Sequence, residues 1–404
     1  MGPRLRPDLR THEFVVEDGR RRRHVADWIG QGRAHPGYAF GDHAGRLLDL
    51  FDGRPEAEIV AGARERVGSA FSADHAARFA ASLDGKNLLD NERSRRWLRS
   101  MHRAALRRGH RPPATADDSW YPHDADRLAP LVRRLVDGRR EGPAGNVRAI
   151  IAPHAGFDAS GACAGRAHAA LSEATPPERV ILLGPNHCYR RDEIDVGTLA
   201  FDTPLGRLEP DPVVARRLRV AVGGCRSNGL AQFRDHSLEM QLPLLQQLAT
   251  LWRRRPRIVP ILISRSMPAG FFRPDERQLD DLDRLAVALA ALLRDRRTAL
   301  VVSGDLTHYG AAFDFAPFSD DVNARIRALD RPALEALLAL DDVRFLESLA
   351  TRNWCGGPSF YVLIRVAAAL GWAPRLIDHH VPPEEAWRPH GRTASLAAVG
   401  FEQA

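Results

Sequence analysis

The sequence predicts an α/β fold: a largely parallel or mixed sheet covered by helices on both faces, preceded by a small winged-helix-like α+β domain. Three observations lead there. Beyond residue 145, short apolar runs alternate with helical patterns, the signature of strands linked by crossover helices. Polar residues able to do chemistry follow several of those runs, at the strand ends where sheets of this kind bind ligands. Ahead of residue 109, a hairpin pattern is instead followed by one helix after another.

In chain order, residues 1–10 are rich in Arg and Pro and are expected to form a disordered arm. Residues 11–108 are expected to be the winged-helix-like domain. Within it, 13–18 and 24–29 read as the strands of a hairpin, joined by Gly19 and four arginines. Helical periodicity recurs at 43–53, 55–68 and 72–85, and an Arg-rich helix covers 91–108. The phrases Leu48-Asp49-Leu50-Phe51-Asp52-Gly53, ahead of one helix, and Asn87-Leu88-Leu89-Asp90, at the end of another, resemble those of PqqD-like peptide-recognition domains. That resemblance implies peptide binding; the alternative is an accessory domain that only packs on its neighbour.

Residues 109–120 carry closely spaced Pro and small polar residues, which break helix and strand alike, and read as a linker. The main domain is expected over 121–404. Helical spacing returns at 124–137. Buried-strand runs follow at 146–153 (NVRAIIAP), 179–185 (RVILLGP), 257–264 (RIVPILIS) and 298–305 (TALVVSGD), with further strands in 375–380 and 393–401. Helical stretches at 160–174, 237–252, 281–295 and 357–372 lie between them.

Composition narrows the function classes. At 44% hydrophobic and 27% charged, the 404 residues are those of a globular protein of two or three units. The formal charge of +7 rests on Arg, with Lys86 the only lysine, and reads as compositional bias as much as selection for a polyanion. Nucleic acid is therefore not the expected partner. No apolar run suits a signal peptide or a membrane span, and Cys163, Cys188, Cys225 and Cys355 form no C-x-x-C pair. A cytoplasmic protein with free thiols and no membrane partner is expected.

Five polar residues stand where the predicted strands end. His154 follows the first buried run, His187 the second, and Asp305 with His308 the fourth, while Cys355 precedes a predicted helix that has Pro358 in its first turn. A lone histidine in a loop is usually structural, but three histidines and an aspartate at equivalent strand ends point to a site. Backbone N–H groups at a helix start favour a thiolate, the form that binds metal or attacks electrophiles. Two imidazoles and one anionic donor leave coordination positions open, and a thiolate moves the preference toward Cu, Zn or Fe over Mg or Ca. His236 and Glu239 lie in Asp235-His236-Ser237-Leu238-Glu239, where Asp235 reads as a helix cap and His236 as a second-sphere or acid/base candidate.

Taken in order, Pro153-His154-Ala155-Gly156, Ser160-Gly161, Gly184-Pro185-Asn186-His187, Asp235 through Pro243, Ser303 through Gly310 and Cys355-Gly356 resemble the MEMO family, also called AmmeMemoRadiSam system protein B. The likeness runs from Ser119-Trp120-Tyr121-Pro122 to the C-terminus. It implies a fold shared with class III extradiol dioxygenases. By position it makes His154, His187 and Cys355 the metal ligands, with Fe(II) or Cu as the leading metals and Zn the alternative. It makes His308 the acid/base residue; the reading of the residues themselves adds Asp305 and His236 as catalytic candidates. The system name implies a radical-SAM enzyme as partner and a peptide or protein substrate. One departure is that Phe157, Asp158 and Ala159 follow the first motif where the family commonly has an aromatic pair. Three functions fit these residues: a non-haem metal-dependent oxidoreductase, a non-catalytic peptide-binding or scaffold protein, and a transferase or hydrolase with Cys355 as nucleophile.

Overall fold

The computed structural model describes residues 2–6, 9–15, 21–26, 37–137, 146–172, 175–187, 194–223, 225, 229–264, 272–313 and 315–403. The chain forms two compact units, 1–108 and 109–404.

In the first unit, strands β1 (Arg10–Val15), β2 (Arg21–Ala26) and β3 (Gly37–Gly41) make an antiparallel sheet in that order. The hairpin turn expected at Gly19 lies outside the described residues, as do the expected strand ends at 16–18 and 27–29. Helices Asp42–Leu47, Glu56–Val67, Ala73–Gly85 and Glu92–Arg108 follow, as the periodicity predicts. A capping box at Ser72 and His75 starts the third of them. Leu48, Leu50, Phe51, Ile59, Leu83, Leu88 and Leu89 form a core of their own. Residues 2–6 of the expected arm are held in place. Leu5 N–H donates to Phe51 O and Arg6 N–H to Leu88 O, so this strand-like segment threads between the two phrases Leu48–Gly53 and Asn87–Asp90.

In the second unit, β4 (His110–Arg111) precedes β5 (Val147–Ala152), β6 (Arg179–Asn186), β7 (Ile194–Val196), β8 (Ala200–Thr203), β9 (Gly206–Leu208), β10 (Arg257–Ser264), β11 (Thr298–Ser303), β12 (His308–Gly310), β13 (Trp372–His380), β14 (Arg392–Ala394) and β15 (Leu396–Gln403). Among the described residues the main sheet has the order β13-β15-β5-β11-β6-β10-β7. Its four central strands are parallel, β15 and β7 run antiparallel to them, and β13 pairs antiparallel with β15 at the edge, so the sheet is mixed. One large apolar cluster lies on each face, with helix Phe157–Ser172 in one and helix Glu276–Leu293 in the other. The parallel strands are buried along nearly their whole length, which explains why they read as continuous apolar runs.

The stretch 109–120, expected as a linker, is folded into this unit. Arg111 is fully buried, donates to the carbonyls of Gln232 and Asp235, and pairs with the buried Glu239. Glu239 also accepts from the N–H groups of Ala114 and Thr115, the Thr115 hydroxyl and the Tyr121 hydroxyl. Glu239 is thus the anchor of this strap. Donors next to the prolines that suggested a linker, the Ala114 and Thr115 N–H groups and the Thr115 hydroxyl, are satisfied by a buried carboxylate far along the chain.

Candidate metal centre

The sheet register builds the site. Ala152 pairs with Ser303 at the ends of the parallel strands β5 and β11. Two residues further, His154 and Asp305 lie side by side, and the His154 N–H donates to Asp305 Oδ1 at 2.8 Å. His187 directly follows β6. The Cys355 loop is brought in by two glycines: a Cβ on Gly304 would stand 2.6 Å from Gly356 Cα, so only this pair permits the approach. Across it the Asp305 N–H reaches Cys355 Sγ at 3.2 Å. Helix Gly357–Leu370 begins two residues after Cys355, so this N–H from the β11 loop does what the helix start was expected to do.

His154 is 2% exposed and the hub of the cluster. Its Nε2 lies 3.4 Å from Cys355 Sγ and 3.9 Å from Asp305 Oδ2. Its Nδ1 meets Ser303 Oγ at 2.9 Å. That hydroxyl has one proton, which it donates to the Ser237 carbonyl at 2.7 Å, while Gln241 Nε2 donates to it at 3.0 Å. Ser303 can therefore only accept from His154. The imidazole carries its proton on Nδ1, and Nε2 faces Cys355 with a free lone pair.

His236 stacks on His187, with ring centroids 4.4 Å apart and 19° between planes, and Trp120 covers its vicinity at 4.5 Å. Asp235 was expected to cap a helix; it accepts the His187 N–H at 2.5 Å and turns its other oxygen to Ser237. His308 stands at the start of β12, its N–H on Asn353 Oδ1 at 3.0 Å and its Nδ1 3.2 Å from the Asn353 carbonyl. It belongs to neither of the donor groups that follow.

Burial, joined by the charge of His187, holds the His154 imidazole well below its ordinary pKa, and burial pushes Asp305 up. Asp235 is equally buried, yet His187, His236 and the Ser237 hydroxyl together hold its carboxyl far down. The two buried carboxyls beside the cluster are thus shifted in opposite directions.

Donor atoms of His154, His187 and His236 lie within 4.8 Å of one another, and so do those of His154, Asp305 and Cys355. The expected ligands His154, His187 and Cys355 take members from both groups, joined at His154. Ligands bound to one ion at about 2.0–2.3 Å stand roughly 3.3–3.7 Å apart in tetrahedral geometry. The 3.4 Å between Nε2 and Sγ fits that spacing, and the imidazole–thiolate donor set suits Fe, Cu or Zn. The sequence motifs contained Ser303 and Asp235 but gave them no role in the site, and Asn353 lies outside the motifs. A polar residue closing the apolar run of β11 was the available signal for Ser303.

The sequence profile of the Memo-like protein family matches residues 111–384. A MEMO1 family protein of Thermococcus kodakarensis is 30% identical over 301 residues, covering 72% of this chain and 99% of its own length. One from Pyrococcus furiosus is 31% identical over 297 residues, with the same coverage of 72% and 99%. A memo-1 homolog of Caenorhabditis elegans is 29% identical over 270 residues, 64% of this chain and 71% of its own. No helix of the described residues is long and apolar enough to cross a membrane. With its strand-end cluster carried on the matched region, the chain belongs to the Memo-like family.

Proposed function

We propose that the second unit is a non-haem metal-dependent oxidoreductase that holds one transition-metal ion through His154, His187 and Cys355. The observation that carries this reading is the Nε2 of His154 set 3.4 Å from the Cys355 sulfur, with Nδ1 on Ser303 Oγ, which gives its own proton to the Ser237 carbonyl. When bound, Fe or Cu would supply a redox-active Lewis acid with coordination positions open. The protein's own part is orientation and proton handling. Asn353 fixes the His308 ring, which would exchange a proton with substrate, and Asp305, raised by burial, can hold one beside it. The likeness to system protein B supports a peptide or protein as substrate, processed together with a radical-SAM enzyme. The fold shared with extradiol dioxygenases that the MEMO resemblance implies is the ground for an oxidative reaction.

Elemental analysis of anaerobically purified protein, followed by addition of Fe(II), Cu(I) or Zn(II), tests the reading. About one ion per chain is expected, and its loss in folded His154→Ala and Cys355→Ser variants. Wild-type protein that takes up none of the three, or Cys355→Ser protein that binds as tightly as wild type, would overturn it. A second reading is favoured by the Asp305 N–H on Sγ, which stabilises a thiolate: Cys355 as nucleophile with His154 as base. Rapid alkylation of Cys355 in protein that binds no metal would support this alternative.

A further inference from the structure

Nearly all of the net positive charge of the chain lies in one helix. Residues 109–404 hold 37 Arg against 36 Asp and Glu, and residues 1–108 hold 21 Lys and Arg against 15 acidic residues. Helix Glu92–Arg108 contains seven arginines and a single acid, Glu92, so the rest of the first 108 residues balances at 14 against 14. A general bias toward arginine would leave every region basic. The excess is instead a property of 17 residues.

Arg96, Arg99, Arg103 and Arg107 recur at spacings of three and four, which places them on one face. All four are exposed, and with Ser100 they line a depression of about 400 Å³. Neighbouring acids neutralise the helix only in part. Glu92 serves both Arg96 and Arg99, at 3.1 and 2.8 Å, while Asp84 and Asp90 take Arg93 and Arg95. Arg103 and Arg107 have no carboxylate partner among the described residues. On the other side the helix is fastened into its own unit, with Ser94 buried and the Arg6 guanidinium 5.3 Å from the Trp97 ring. The ladder is thereby held outward.

We propose that this arginine ladder is a docking surface for an acidic, extended peptide segment. From Arg96 to Arg107 the helix rises about 16 Å, and its successive arginines lie about 5–6 Å apart. An extended chain presents same-side residues every 6.6–6.8 Å or so, so acids at alternate positions over about five residues meet the ladder. A single-stranded nucleic acid would need an aromatic stacking platform, and the helix exposes none: Trp97 is only partly exposed and lies under Arg6. The proposal concerns the first unit and does not depend on the metal reading.

Fluorescence anisotropy with the full chain tests it, using a labelled peptide of about ten residues that alternates Glu with Ser and a control with Gln for Glu. The Glu peptide is expected to bind and the Gln peptide not. Affinity should fall about tenfold or more as salt rises from about 50 to about 300 mM. The R96E/R99E/R103E/R107E variant should lose binding, and the milder R103Q/R107Q variant should weaken it several-fold while its circular dichroism stays that of wild type. Absence of binding at low salt, equal binding of the Gln peptide, unchanged affinity in folded R103Q/R107Q, or displacement of the peptide by lower concentrations of an oligonucleotide would each overturn the proposal.

Discussion

At the scale of the residue, one hydroxyl decides which nitrogen of His154 faces the cluster. Ser303 gives its proton to the Ser237 carbonyl, so it can only accept from Nδ1, and Nε2 is left bare toward Cys355. Partners of this kind typically govern metal affinity by about 10–100-fold. Ser303→Ala is therefore expected to weaken metal binding by that order in a chelator competition, with the fold intact by circular dichroism. Affinity equal to wild type would show that the tautomer is fixed by something else. His154 and His187 stand out in the sequence because each follows an apolar strand run, and Cys355 because it opens a Gly-rich phrase ahead of a helix. Ser303 and Asp235 were harder to assign, because Ser and Asp have common local uses and their partners, His154 and His187, lie 149 and 48 residues away.

At the scale of the element, the strap over 109–121 shows what local patterning misses. Pro112, Pro113 and the small polar residues after them describe a chain without helix or strand, and that description is right as far as it goes. What holds the segment is Glu239, whose carboxylate gathers Arg111, two backbone N–H groups and two hydroxyls, all from one short stretch. Removing one member of a buried ion pair leaves the other charge uncompensated, at a cost of about 3–5 kcal/mol. Glu239→Gln should destabilise the second unit by that order in urea unfolding. Because Trp120 lies on the strap and packs 4.5 Å from His236, its fluorescence should also change at urea concentrations too low to unfold the variant. A stability within about 1 kcal/mol of wild type would mean that Arg111 finds its compensation in the Gln232 and Asp235 carbonyls alone. By contrast, the four parallel strands were readable one by one, since burial on both faces leaves no polar alternation to confuse them with loops. The antiparallel edge strand β7 and the short β8 and β9 escaped notice, being three to four residues long.

At the scale of the whole molecule, the chain's path through the sheet places helices on opposite faces and buries most of one of them. The chain leaves β5 for β6 in one direction along the strand order and returns from β10 to β11 in the other, so two right-handed crossovers cover opposite faces. Helix Phe157–Ser172, on the first crossover, is wedged so closely that a Cβ on Gly165 would stand 2.2 Å from the Leu135 carbonyl oxygen. His168 is carried inside with it, fully buried, its Nδ1 donating to the Ala164 carbonyl at 2.9 Å. Nε2 has no partner among the described residues, so a second proton would be a buried charge without compensation, and burial pushes the imidazole down to about 4 from 6.5. The sign follows from linkage. Below pH 6.5 the unfolded chain takes up a proton that the folded chain refuses until about pH 4, so this contribution is complete above 6.5 and is lost as pH falls between those values. Integrated from about pH 7.5 to about pH 5, it amounts to about 2 kcal/mol. Other buried groups add their own pH dependence, and a His168→Leu variant isolates this one. Its unfolding free energy should fall by about 2 kcal/mol less than that of wild type over the same interval, whatever its stability at neutral pH. Parallel pH profiles for the two proteins would mean that His168 gains a partner for its second proton on acidification, by a local opening of the helix against the sheet.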